Sequence, residues 1–529
     1  MAFLQSLLFY CSFKSFIDLL LFLTFLYVGH FYYNYFTRVN KLPGPFPLPI
    51  IGSLWNKHDG YNKWIYKLQQ QYGDIFEVWL SNKRKIYLCR AEYFDKLLSS
   101  STKTKWSSRT GANEGISELG MTQRGILAND NFDSWKFNRH FFSQTMLTPS
   151  FNIKAIDATN EMWKEMEKYW NALGDDYQID LSEWMQRFTI DMIIEITTGK
   201  RAYTLPVYFN KFTTKKLVDI PPAILDDSEY FIHNMQKYIK VFTTFAIFPY
   251  YIRHYMPILR NITKAGIECR DNIHGKIMEI IKNRRKEIEK NDIVFNDMLS
   301  LLIIANTERD KSSRPDLRLM TDDEILGNIR DAFIAGSETT MNAVIVLIYY
   351  ICKHPSVLKK LRQELDSVFG EDRDRPFTSD DLTELKYCEA VVNESGRMHH
   401  IAHSASRINV EPDELLGYQW PARSEFIMFY EGGNKNPLYW KDPEVFNPDR
   451  FLTDDKIVKR NFIYFGGGIR QCPGKKLAMI EMKGIIAMLF RKYDVTLMNE
   501  ELHYKSMIFN SIIEGVFIKI TPRKDVVLS

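Results

Sequence analysis

Residues 465–478 read FGGGIRQCPGKKLA, and they set a lone cysteine among glycines and cations just ahead of an apolar, helix-like run. Gly466, Gly467 and Gly468 allow positive φ and let the backbone approach a neighbouring group closely. Pro473 and Gly474 suit a tight passage into a helix that begins near Lys475. Cys472 therefore lies near a helix N-terminus, among backbone N–H groups and two residues from Arg470, and each of these features stabilises a thiolate. The loop reads as a holder for an anionic sulfur.

Three uses of such a sulfur compete. Zinc needs further Cys or His at short spacing, which this stretch lacks. A phosphatase-like nucleophile wants an anion-cradling loop with an arginine soon after the cysteine, where Gly474, Lys475, Lys476 and Leu477 stand instead. An axial haem ligand needs one cysteine, an arginine for a propionate and glycines that let the loop lie under a flat macrocycle. FGGGIRQCPG resembles the cysteine-ligand signature of the cytochrome P450 monooxygenases, F-x-x-G-x-R-x-C-x-G, at Phe465, Gly468, Arg470, Cys472 and Gly474.

Upstream, TDDE at Thr321 to Glu324 forms a capping box with acids in the first turn, so a helix should start there and run to about Lys353. Within it lies DAFIAGSETTMNAV, Asp331 to Val344, where Gly336, Ser337, Glu338, Thr339 and Thr340 interrupt a helix otherwise fit for burial. The plain reading is that the hydroxyls of Thr339 and Thr340 bond carbonyls one turn earlier. The stretch is also similar to the family's A-G-x-D/E-T-T pattern. That resemblance implies that Ala335 and Gly336 leave room for dioxygen, while Glu338 and Thr339 pass protons to it.

ESGR, Glu394 to Arg397, is by itself an ordinary i, i+3 ion pair. The resemblance places Glu394, Arg397 and the Arg450 of NPDRF in a buried structural triad on the cysteine side of the haem. In WKFNR, Trp135 and Arg139 share one helix face and could both reach a carboxylate. The family's W-x-x-x-R puts them on a haem propionate, with Arg407 as a further propionate partner. The motifs follow the family's order, with departures: Ile469 stands where many members have proline, HHI at His399 to Ile401 replaces an aromatic-Pro-Pro run, and GGNKNP at Gly432 to Pro437 lacks the frequent His-Arg pair.

The resemblance implies haem b with Cys472 as axial ligand, insertion of one oxygen atom of O2 into a small hydrophobic substrate, and electrons from an NADPH-dependent cytochrome reductase, with cytochrome b5 as a further donor. Lys475 and Lys476 are candidates for a docking patch. Substrate-lining segments would be Gly111 to Ala128, parts of Thr204 to Pro257, Phe333 with Ala335, Ala402 to Ser406, and Phe509 to Ile513. Their apolar tone fits a lipid, fatty acid, sterol or terpenoid-like molecule. The rivals are a haem-thiolate isomerase that rearranges hydroperoxides, which the Thr339 relay argues against, and a membrane-anchored helical protein with an inert cysteine.

The rest of the chain agrees. Its 529 residues are 45% hydrophobic and 25% charged, enough for a large core, and a net charge of +4 gives no global case for nucleic acid. The six cysteines form no CxxC pair or disulfide framework, which fits a reducing, cytosol-facing location. Ser15 to Phe36 is long enough to cross a bilayer despite Asp18 and His30, and it ends in an aromatic belt ahead of Arg38 and Lys41. KLPGPFPLPIIGS, Lys41 to Ser53, reads as a stiff extended spacer. Beyond it, Ile153 to Leu173 and Asn261 to Lys290 read as amphipathic helices. Ile75 to Leu80 and Lys85 to Cys89 read as a strand pair around SNKR, and further short strands fall in Arg407 to Tyr430. The expected fold is mainly α with small β-sheets (α+β). It comprises a membrane anchor (1–40), a linker (41–53) and one large haem domain (54–529). The expected location is the endoplasmic reticulum membrane, with a single pass, a cytosolic head and an idle Asn-Ile-Thr sequon at Asn261.

Overall fold

A computed structural model describes residues 2–57, 60–109, 113–174, 176–213, 218–291, 297–305, 307–308, 318–506 and 509–524, with side chains from Phe16 onward. The chain opens with α1 (Ala2–Thr37), then forms β1 (Ile75–Leu80) and β2 (Lys83–Leu88). The helices α2 (Phe132–Met146), α3 (Pro149–Leu173), α4 (Leu181–Thr198), α5 (Ser228–Ile247), α6 (Pro257–Asn291), α7 (Asp322–Lys353) and α8 (Lys386–Met398) follow. After them come β3 (Ser404–Ile408), β4 (Glu425–Phe429), α9 (Lys475–Lys492), β5 (Tyr504–Ser506) and β6 (Asn510–Ile512). The fold is mainly α with minor sheets.

The Thr321 capping box forms: Glu324 N–H bonds the Thr321 hydroxyl, and the Glu324 carboxylate accepts from the Thr321 N–H at 2.9 Å. The resulting 32-residue helix is the axis of the core, packed by α4, α6, α8 and α9. Two helices begin earlier than their apolar spacing suggests, because Pro149 and Pro257 occupy first-turn positions where a missing N–H costs nothing. The strand pair exists, but its loop is the two residues Ser81 and Asn82, since Leu80 already pairs with Lys83. Ser81 turns at φ 55°, and Arg84 pairs with Glu77 across the hairpin, so charge hid the start of β2. In the four-stranded sheet β1-β2-β4-β3, β2 and β4 run parallel while the outer pairs are antiparallel.

The residues 16–37 of α1 are almost wholly exposed and apolar, a 22-residue stretch consistent with a single-pass membrane anchor. The proline-rich segment that follows is extended as far as Pro47, but Leu48 and Gly52 then close a tight turn on each other, against the expectation of an extended spacer to Ser53, and the segment is stitched to the head. Glu77 N–H bonds Pro43 O at 2.9 Å, and Ser53 bonds both Pro45 O and Trp79 N–H at 3.2 Å.

Glu394 and Arg397 are completely buried. Arg397 donates to both carboxylate oxygens at 2.7 and 2.9 Å and to the carbonyls of Asn434 and Pro443, while Arg450 Nε reaches Glu394 at 3.1 Å. Two of the three sequence departures, at His399 to Ile401 and Gly432 to Pro437, meet in space beside this triad. The Glu431 carboxylate accepts from Asn62 at 2.7 Å and Lys435 at 3.1 Å, and Asn62 also reaches Asn510. Asn510 in turn bonds the carbonyls of Ile401 and His400, and the His399 ring sits 4.4 Å from that of Tyr504. Polar groups thus join α8 to β5 and β6.

Two predictions follow from these burials. Glu394→Ala leaves Arg397 charged and buried without its anion and should cost about 3–5 kcal/mol; an unchanged thermal midpoint would show that the triad is not structural. His399 and His400 are pushed down to about 4 by burial, so folding holds them neutral, whereas the unfolded chain binds their protons below about 6.5. Their stabilisation is complete above pH 6.5 and is lost as pH falls toward 4, roughly 2 kcal/mol for each by pH 5. Urea midpoints between pH 7 and 5 should fall accordingly, less steeply in His399→Phe; equal slopes would remove His399 from the cause.

Candidate active site

A cavity of about 440 Å³ lies between α7, the Cys472 loop, β3 and the 113–128 segment. Its floor is set by close approaches. Gly466 and Gly468 take φ of 68° and 64°, and a Cβ on Gly468 would overlap the Leu98 carbonyl, so only glycine fits there. Ile469 N–H bonds Ser99 O, and Cys472 N–H returns to Phe465 O at 3.0 Å. The Cys472 thiol is exposed into this cavity rather than to bulk water, with Gly474 directly alongside. Burial pushes the thiol up, opposed by the Gly474 N–H and by the charges of Arg139, Arg109 and Lys475.

Arg470 borders the same cavity. It does not face the sulfur; its guanidinium lies 4.0 Å over the Trp135 ring and donates to Ser107 O and Asn129 O, each at 3.0 Å. Arg139 extends from α2 to Gln471 O at 2.8 Å. Arg407 on β3 donates to Leu97 O and Ser406 O, and Arg109 donates to Leu127 O and Arg470 O. Arg109 follows no sequence pattern, and only the fold brings it here.

Among the described residues none of these four guanidiniums has an ion-pair partner, and Arg109 Nε is buried with no acceptor. Burial and mutual repulsion press Arg470 down to about 8 and Arg407 to about 10. The charge balance of such a cavity is incomplete without anions. Haem fits this donor set: it is flat, its two propionates supply the missing negative charge, and its iron accepts a thiolate from Cys472. A metal cation bound to sulfur also relieves the cost that burial places on the thiolate.

On α7, Ala335, Gly336, Thr339 and Thr340 border the cavity and Glu338 does not. The Thr339 hydroxyl bonds Ala335 O at 2.6 Å, which is the plain reading. A Cβ on Gly336 would stand 2.7 Å from Ile193, so this glycine serves the contact of α7 with α4 while its backbone borders the cavity. The Glu338 carboxylate turns toward Asn342 and Ser511; burial raises its pKa and those two bonds oppose the rise.

The opposite wall includes Met121, Ile126, Tyr238, Phe242, Ala402 and Phe509, in segments expected to line it. Phe333 instead packs edge-on against Phe231, and Gly111 lies outside the described residues. His400 and Ile401, from the HHI departure, also border the cavity, as does Tyr430. The Asp331 carboxylate holds this wall to α7 by accepting from Ile126 and Leu127 N–H at 2.7 and 2.8 Å. Tyr238 ties α5 to Leu119 O at 2.7 Å. Lys475 and Lys476 are exposed at the start of α9.

Comparisons with known proteins agree with this geometry. Cytochrome P450 4d2 of Drosophila melanogaster is 26% identical, with 91% of this chain and 94% of that protein covered. Cytochrome P450 3A27 of Oncorhynchus mykiss is 26% identical over 94% and 92%. A 3-beta-hydroxylase of Tanacetum parthenium is 27% identical over 87% of each chain. The sequence model described as Cytochrome P450 matches residues 42–520, nearly the whole head, and the chain belongs to the cytochrome P450 family.

Proposed function

We propose that this chain is a haem b monooxygenase that oxygenates a small hydrophobic organic molecule, of the lipid, fatty acid, sterol or terpenoid kind, with Cys472 as the axial ligand. One observation carries the reading: a thiol exposed into a largely apolar cavity bordered by four guanidiniums that form no ion pair among the described residues. Bound there, haem supplies dioxygen activation and insertion of one oxygen atom into a C–H or C=C bond, the other leaving as water.

The chain's own residues do the rest. Arg109, Arg139, Arg407 and Arg470, with Trp135, orient and neutralise the haem carboxylates. Phe465, Gly468 and Gly474 shape the loop under the ring, and the Glu394–Arg397–Arg450 triad supports it. Ala335 and Gly336 keep the face opposite the sulfur open. Thr339 holds a proton at its hydroxyl beside that face, and Glu338, whose pKa burial raises, resupplies it after its side chain turns from Asn342. Thr339 at the cavity favours dioxygen chemistry over hydroperoxide rearrangement. Electrons come from an NADPH-dependent cytochrome reductase, with cytochrome b5 as a second donor. The head, residues 54–529, works as one catalytic domain on the cytosolic side of the endoplasmic reticulum membrane.

The first test is the reduced carbon monoxide difference spectrum of fractionated membranes. Wild type should give a strongly red-shifted Soret band in the endoplasmic reticulum fraction, absent from Cys472→Ser. No haem band in folded wild type would overturn the reading, and a band in another membrane would overturn the location. With added reductase, Thr339→Ala should keep that band but divert most NADPH to hydrogen peroxide; normal coupling would remove Thr339 from proton supply.

A further inference from the structure

Tyr430 is a buried phenol that no motif accounts for. It follows β4 directly, and its N–H bonds His403 O at 3.0 Å, which fixes the backbone. Phe94 packs edge-on against its ring at 5.8 Å, and the His400 imidazole lies over it at 5.2 Å, tilted by 30°. The His400 ring is itself anchored, with Nε2 2.9 Å from Ile463 O, so the phenol has little freedom to swing. His400 stands where the family usually has proline, and this stacking gives the substitution a structural use.

Tyr430 is 5% exposed, and among the described residues its hydroxyl has no hydrogen-bond partner. A buried hydroxyl left in that condition costs free energy, so an unfilled donor is informative. The ring borders the same cavity as Arg109 and Arg407. Burial pushes the phenol up, while Arg407 and Arg109 pull it down, which places both cations within electrostatic reach of the oxygen. Guanidiniums can only donate. A phenol and two guanidiniums therefore offer hydrogens at the same cavity, and among the described residues Arg109 Nε is a second donor there without an acceptor.

One chemical group satisfies such a set: a carboxylate, whose two oxygens accept about four hydrogen bonds and whose charge offsets the arginines. We infer that Tyr430 donates its hydroxyl hydrogen to the haem carboxylate that Arg109 and Arg407 neutralise, with His400 holding the ring in place. This rests on the haem reading above. It makes Tyr430 a cofactor-binding residue and His400 a positioning residue.

The test uses full-length holoprotein and Tyr430→Phe, which keeps the ring and its packing and removes only the oxygen. Haem transfer to excess apomyoglobin should speed up about tenfold, the effect of losing one charge-assisted hydrogen bond, and the propionate bending band in the resonance Raman spectrum should shift. Tyr87→Phe is the control, because it deletes the same atom from a buried tyrosine of β2 that lies outside the cavity and that neither arginine perturbs; it should change neither readout. Unchanged transfer and an unshifted band in Tyr430→Phe would overturn the assignment while leaving haem binding intact. Wild type without any haem would overturn both readings.

Discussion

Four guanidiniums share the wall of one cavity and, among the described residues, none of them forms an ion pair, and most of the site's architecture answers to that constraint. Each positive charge is spread over backbone carbonyls contributed by distant parts of the chain: Leu97, Ser107, Leu127, Asn129, Ser406 and Gln471. The arginines therefore staple the 97–129 segment, β3 and the cysteine loop to one another. Carbonyl dipoles soften the repulsion but do not cancel it, as the depressed values of Arg470 and Arg407 show. The same residues that build the cavity leave it in need of an anion.

The Glu394 triad shows the other solution to buried charge. There a carboxylate receives two arginines directly, the remaining guanidinium hydrogens go to carbonyls, and nothing further is required. Gly396 between the triad residues lets Tyr464 pack against α8, since a Cβ there would stand 2.6 Å from the ring. Tyr464 immediately precedes the cysteine loop, so the closed charge cluster braces the open one. Rigidity beneath the sulfur and unsatisfied charge around it are complementary halves of one design.

Much of this was legible in the sequence for identifiable reasons. Local signals did well: the Thr321 box, the glycines of the cysteine loop and the i, i+3 spacing of Glu394 and Arg397 each act within a few residues. The failures came from long-range determinants. Arg470 looked like a partner of Cys472 by proximity in sequence, yet its length carries it to Ser107, Asn129 and Trp135. Arg109 and Tyr430 carry no periodic or motif signature, because only the meeting of β3, β4 and the 97–129 segment gives them a role. Glu338 was read with Thr339, yet Thr339 borders the cavity while the Glu338 carboxylate is engaged by Asn342, one turn further along the helix.

The distribution of those signals also separates reaction class from specificity. Motif positions crowd the sulfur side of the cavity, where a methyl group on Gly468 meets a carbonyl and one on Gly396 meets a ring. Such positions tolerate little change, because any added side-chain atom meets backbone or ring atoms that the fold holds in place. On the facing wall Met121, Ile126, Phe242 and Phe509 are apolar, and Tyr238 is the member tied by a side-chain hydrogen bond, to Leu119 O. Side chains there can change volume without disturbing the charge balance or the loop. The constrained wall consequently holds the chemistry constant, while the facing one is free to select what is oxidised.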